Sequence, residues 1–182
     1  MITEELAKKL KECFNNARKD EKKGKKHKGL LPIESNNEQA KFYIQKAKES
    51  LELCNFYKEK RLDYKIPEEW FYSLYYCGLA ILSKFGVETR SQKWTALFLE
   101  YITNKNIIDY DPEFVKRITV YNEKGKESEV DERENARYGP QIKIDKVFQR
   151  YEEMSNLCKK AISQAEEIVY SNKKLEIPKE LL

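Results

Sequence analysis

Along most of this chain apolar residues recur every three to four positions, the spacing that lines one face of an α-helix. Leu6, Leu10, Cys13, Phe14 and Ala17 form the first stripe. Thr3 precedes it as a cap, and Glu4 and Glu5 fill its first turn, where carboxylates suit the helix dipole. Ala40, Tyr43, Ile44, Ala47, Leu51 and Cys54 form the second stripe, on a helix capped by Asn37 or Ser35 and ending near Lys60. Pro67, Glu68 and Glu69 open a third helix, and Gly86 closes it. Trp70, Leu74, Cys77 and Ile81 lie on one side of this helix, with Phe71, Tyr75, Gly78 and Leu82 on another. A helix apolar all round must be central or shared with a second subunit. Gly78 inside it predicts the close approach of a neighbour.

Thr89 or Ser91 starts a fourth helix, with Trp94, Leu97, Phe98, Tyr101 and Ile102 buried. Asp111-Pro112-Glu113 is a cap, a first-turn proline and an acidic second position, opening a shorter helix with Phe114, Ile118 and Tyr121 inward. The polar stretch 121–132 reads as a loop. Gly139-Pro140 punctuates before the last helix, whose stripe runs from Ile144 through Phe148, Met154 and Ala161 to Val169. The fold class is all-α: an up-and-down bundle of four long helices plus a short extra one, with an N-terminal helical arm. Residues 1–34 read as that helix and a basic linker, 35–172 as the bundle and 173–182 as a tail.

Composition supports helices. The chain has 182 residues, 36% of them charged, and only 6 Gly and 5 Pro, too few turn-formers for a sheet protein. No apolar run approaches a membrane span, and the acidic start is no signal peptide, so a cytoplasmic protein is expected. Cys13, Cys54, Cys77 and Cys158 stand far apart on apolar faces and read as packing residues. With His27 the only histidine, no metal site and no cofactor are expected. The net charge of +4 is concentrated: residues 18–28 hold seven basic and two acidic side chains.

Glycine-rich phosphate loops and nucleophile elbows are absent from the sequence. His27 falls in a basic stretch that reads as a flexible arm, unsuited to proton transfer. Three features carry candidate chemistry. The segment 133–140 places Arg133, Asn135, Arg137 and Tyr138 beside a helix start, where two guanidinium groups can hold phosphate. The alternative is ion pairing of Arg133 with Glu132, Glu134 or a neighbouring helix, with Tyr138 merely packing. The aromatic stretch Trp70 to Tyr76 can stack bases or form core and interface. Lys22, Lys23, Lys25 and Lys26 form a basic arm able to contact nucleic acid irrespective of its sequence, or a solvated connector.

Residues 36–169 resemble the HEPN family (higher eukaryotes and prokaryotes nucleotide-binding domains). The likeness lies in the first Lys/Glu-rich bundle helix, the aromatic-rich second one, the segment Arg90-Ser91-Gln92-Lys93-Trp94, and Arg133, Ala136 and Tyr138 in an R-x-x-A-x-Y pattern. Arg137 stands where the small prokaryotic branch carries an acidic residue, and Gln92 where many members have His. The apolar excess of the helix from Trp70 to Phe85 predicts a homodimer, and the resemblance implies that it binds RNA or a nucleotide phosphate at a dimer cleft lined by Arg133, Arg137 and Tyr138, with Asn135, Arg90 and Lys93 as further candidate contacts. It also implies a toxin–antitoxin or defence setting, with a small nucleotidyltransferase as partner. HEPN ribonucleases place a His after the Arg with four to six residues in between; here those positions hold Tyr138, Gly139 and Pro140. Binding without catalysis is therefore expected, with a metal-independent endoribonuclease and a helical protein-interaction adaptor as alternatives.

Overall fold

The computed structural model describes residues 2–119, 129–140 and 145–182, with the side chains of 2–3 and 129–132 excepted. The protein is mostly helical. Helix α1 spans Ile2–Lys22, α2 Asn37–Glu59, α3 Ile66–Phe85, α4 Gln92–Asn104, α5 Pro112–Ile118, α6 Glu129–Tyr138 and α7 Asp145–Tyr170. Two short strands, β1 (Leu30–Pro32) and β2 (Val87–Thr89), pair antiparallel, with Leu31 opposite Glu88. No helix among the described residues is long and apolar enough to cross a membrane.

Helix α3 is central. Trp70, Phe71, Leu74, Cys77, Ile81 and Leu82 are almost wholly buried against the surrounding helices of the same chain. The apolar surface on which the expected homodimer rested is thus largely covered within one chain. Burial of this set is what makes the helix stable, since each large apolar side chain withdrawn from water contributes about 1.5–3 kcal/mol. Gly78 has its expected role: a Cβ there would lie 2.8 Å from Leu99 Cδ1, so α4 packs where a side chain would stand. Gly86 ends α3 at φ 74°, a left-handed conformation that glycine adopts without strain.

Several helix boundaries fall where the sequence puts them. Ser91 caps α4 by accepting a bond from Trp94 N, and Asp111 caps α5 through Glu113 N. The cap of α2 is Asn36, whose Oδ1 accepts from Gln39 N at 2.9 Å, neither Asn37 nor Ser35. Residues 30–32, expected in a linker, form β1 instead. Helix α1 is no detached arm: Leu6, Leu10, Cys13 and Phe14 enter the same core as α4, with Phe14 edge-on to Phe98. The expected tail also packs, burying Leu175 and Leu181 and placing Glu180 2.7 Å from the Tyr101 hydroxyl. The polar stretch read as a loop to residue 132 becomes helical from Glu129; Tyr121 and Ile144 lie outside the described residues.

Candidate functional site

The basic segment begins where α1 stops. Gly24, at φ 67°, turns the chain, and Lys25 N bonds back to Asp20 O at 2.9 Å. Two residues later His27 is 1% exposed, with Nε2 3.0 Å from Glu88 Oε1. The flexible arm expected around His27 is therefore a fixed turn, closed by a contact to β2. Glu88 also accepts from Arg90 Nε at 2.9 Å, and Arg90 N donates to Gly29 O at 3.3 Å. Burial pushes the Glu88 carboxyl up, but the bonds from His27 and Arg90 outweigh it and hold it below its usual 4.5. Gly29 is seated so closely that a Cβ would stand 2.5 Å from Cys13 Sγ.

Lys22, Lys23, Lys25, Lys26 and Lys28 surround this anchor and all face solvent. Arg90 is exposed next to Gly29, with Glu88 beside its guanidinium, so the structure brings Arg90 to the basic segment. Lys93, also exposed, lines a cleft with Glu5 and Lys9 in the first half of α1, its Nζ 5.7 Å from the centre of the Trp94 ring. Repulsion among like charges opposes such a surface, and the buried His27 contact and the β1–β2 pair hold it in place. His27 itself is turned inward, which closes it to a substrate.

Arg133, Asn135, Arg137 and Tyr138 form a second group, inside α6 rather than beside a helix start. Ala136 is the side chain that α6 buries here. The Arg133 guanidinium lies 4.3 Å from the centre of the Phe71 ring, with Glu134 Oε1 at 3.8 Å. That is cation–π packing against α3 plus a local ion pair. Arg137 Nη1 lies 3.3 Å from Glu68 Oε1 on α3. Asn135 is exposed, and Tyr138 is 79% exposed. Each arginine already has a carboxylate beside it, so this group offers less uncompensated charge to a phosphate than two free guanidinium groups would. The side chain of Glu132, the other expected partner of Arg133, lies outside those described.

The aromatic stretch divides. Trp70 and Phe71 are core, while Tyr72, Tyr75 and Tyr76 are half-buried along one face of α3. Phe71 and Tyr75 stack at 5.5 Å, Tyr72 and Tyr76 at 5.7 Å, and Tyr43 of α2 stacks on Tyr76 at 6.1 Å. Burial raises the hydroxyls of Tyr43, Tyr75 and Tyr76 above their usual value of 10, so all remain neutral donors near neutrality. The rings occupy one another's faces, which leaves less surface for a base than isolated aromatics provide.

The two cationic groups stand at opposite ends of α3. From Phe71, beneath Arg133, to Phe85, just before β2, the axial rise is about 21 Å at 1.5 Å per residue. The sequence reading missed His27, Glu88 and Gly29 as the frame of the basic surface. A lone His in a Lys-rich run carried the one available signal, since a neutral-capable ring amid charges suits a buried position. No family model matches the chain, and neither a curated protein nor a solved structure matches it.

Proposed function

We infer that this chain is a non-catalytic helical domain that binds RNA through the fixed basic surface of Lys22, Lys23, Lys25, Lys26 and Lys28, with Arg90 at its edge. The observation that carries the reading is the seating of His27 on Glu88 at 3.0 Å, because it turns a run of lysines into a defined surface. Cations held together displace the counterions condensed on a phosphate backbone, and that release drives binding without reading bases. Nothing in this surface positions a general acid and base, so binding rather than cleavage follows from it.

A second reading keeps the HEPN-like cleft: an up-and-down bundle whose second copy brings two α6 helices together, with Tyr138 at the mouth. The 79% exposure of Tyr138 favours it, since a phenol left in water is free for a base or a partner. Cleavage in that cleft would be metal-independent, and a nucleotidyltransferase partner and a toxin–antitoxin setting belong to this reading alone. The experiment is a salt titration of affinity for a single-stranded RNA. Replacing Lys22, Lys23, Lys25 and Lys26 by Gln should lower the slope of log K against log salt by about 3, at roughly 0.7 per lost phosphate contact. An unchanged slope rejects the basic surface. RNA cleavage in the presence of chelator, abolished by Tyr138→Phe, would establish the second reading instead.

A further inference from the structure

Three helix ends meet at a cleft of about 420 Å³ between the start of α2 and the finishes of α3 and α7. Asn37, Lys41, Lys84, Asn172, Lys173 and Lys174 are among its lining. Lys84 is the unusual member. It is 8% exposed, and its ammonium donates one hydrogen bond, to Ser171 O at 3.0 Å. No carboxylate of the described residues lies within ion-pair distance of it. Lysines this deeply placed are normally matched by a carboxylate, because an ammonium withdrawn from water loses several kcal/mol of hydration. The carbonyl end of α7 offsets part of that loss and engages one of three N–H groups.

The cations around Lys84 are more exposed and partly matched. Lys41 lies 3.4 Å from Glu38, and Lys174 lies 2.7 Å from Glu176. Lys173 Nζ bonds the carbonyl of Ile107 at 3.3 Å. The backbone at the start of α2 is fixed over the same cleft, by Ser35 Oγ on Lys84 O at 2.8 Å and by Asn36 N on Ser83 O at 3.1 Å. Asn36 takes up Gln39 N, and the N–H groups of Asn37 and Glu38 belong to the helix start, which has no carbonyl of its own helix to offer them.

We propose that this cleft binds a phosphate group, with the Lys84 ammonium at its floor and the first-turn N–H groups of α2 and the Lys41 and Lys173 side chains around it. A dianion suits the site better than a carboxylate, because donors converge from two helices and a buried cation lacks its counter-charge. The cleft is separate from the basic surface of α1, so the proposal goes beyond the RNA reading and does not depend on it. The phosphate can be free or a monoester, or it can be a diester of an RNA chain; the chemistry that recognises it is shared.

The test is titration of the isotopically labelled full chain with inorganic phosphate, with AMP and with a short RNA lacking terminal phosphates, each against chloride at equal ionic strength. Saturable shifts of the Asn37 and Glu38 amides with phosphate or AMP support a monoester or free dianion. Saturation with the RNA alone supports the diester. Lys84→Gln should weaken the binding at least about tenfold, as expected for loss of a charge-assisted bond, and Lys84→Arg should retain most of it. If Lys84→Gln does not fold, the exposed pair Lys41→Gln and Lys173→Gln should still weaken binding. No saturable shift at α2 with any probe overturns the proposal, and so does affinity unchanged in these variants.

Discussion

The turn at Lys22–Lys28 and helix α6 both gather positive charge, yet they treat it oppositely. In α6 the Arg133 guanidinium lies over the Phe71 ring, and Arg137 reaches Glu68. In the turn one side chain, His27, goes inward and the lysines stay in water. The first arrangement uses cations to hold two helices together; the second uses a buried contact to hold cations in place. Local charge therefore does not measure how much charge is available to a ligand. What decides it is whether the nearest anion belongs to the protein.

The strongest way to break the contrast is to remove the platform under Arg133. Phe71→Ala empties a buried ring site and should cost about 3–5 kcal/mol of unfolding free energy in a denaturant titration. A loss below about 1 kcal/mol would mean that α6 does not depend on α3. The seating of the basic turn is tested next. Gly29→Ala forces a methyl toward Cys13 Sγ and should cost about 1–3 kcal/mol. Adding Cys13→Ala should restore part of that loss, because the two atoms compete for one space. Additive losses would show the turn to be seated differently.

Arg133→Ala should lower stability by about 0.5–2 kcal/mol, the range of a partly buried cation–π contact, while leaving RNA affinity unchanged. A drop in affinity without loss of stability would reverse the roles of the two regions. The smallest effect concerns acid. Glu88 is held below its usual 4.5, so its contribution is present above the unfolded value and is lost as pH falls through the folded one. Glu88→Gln should lower the melting temperature slightly at pH 7, and the difference from the parent chain should close as pH falls below about 4.5. An unchanged acid limb would show that the His27–Glu88 contact contributes nothing.

The helices were legible because apolar periodicity is a local signal that burial simply honours. The stripes on α1, α2, α3 and α4 face the core, and so does that of α7 from Tyr151 to Val169, whereas Phe148 is 51% exposed. Caps were legible at Asp111, missed at Thr3, which lies inside α1, and misplaced by one where Ser35, Asn36 and Asn37 all qualified. Helix α6 escaped notice because EVDERENARY is polar almost throughout, and of its described side chains Ala136 is the apolar one in the core. The β1–β2 pair and the His27–Glu88 contact span distances along the chain at which no pattern links the partners. Of the candidate site, the charges could be read directly. Their neutralisation was legible only for the neighbours Arg133 and Glu134; Glu68, which meets Arg137, and Phe71, under Arg133, come from another helix.

The four cysteines give this chain a built-in reporter of its own breathing. Cys13, Cys54, Cys77 and Cys158 are buried in α1, α2, α3 and α7, respectively. Burial pushes the Cys13 thiol up to about 11 and the Cys54 and Cys77 thiols well above their usual value, so the nucleophilic thiolate is scarce at neutral pH. An alkylating reagent can therefore reach each sulfur only during an excursion that exposes it. In variants keeping one cysteine at a time, the labelling rate becomes a clock for the opening of a single helix. The order in which the four clocks run would trace how this domain comes apart.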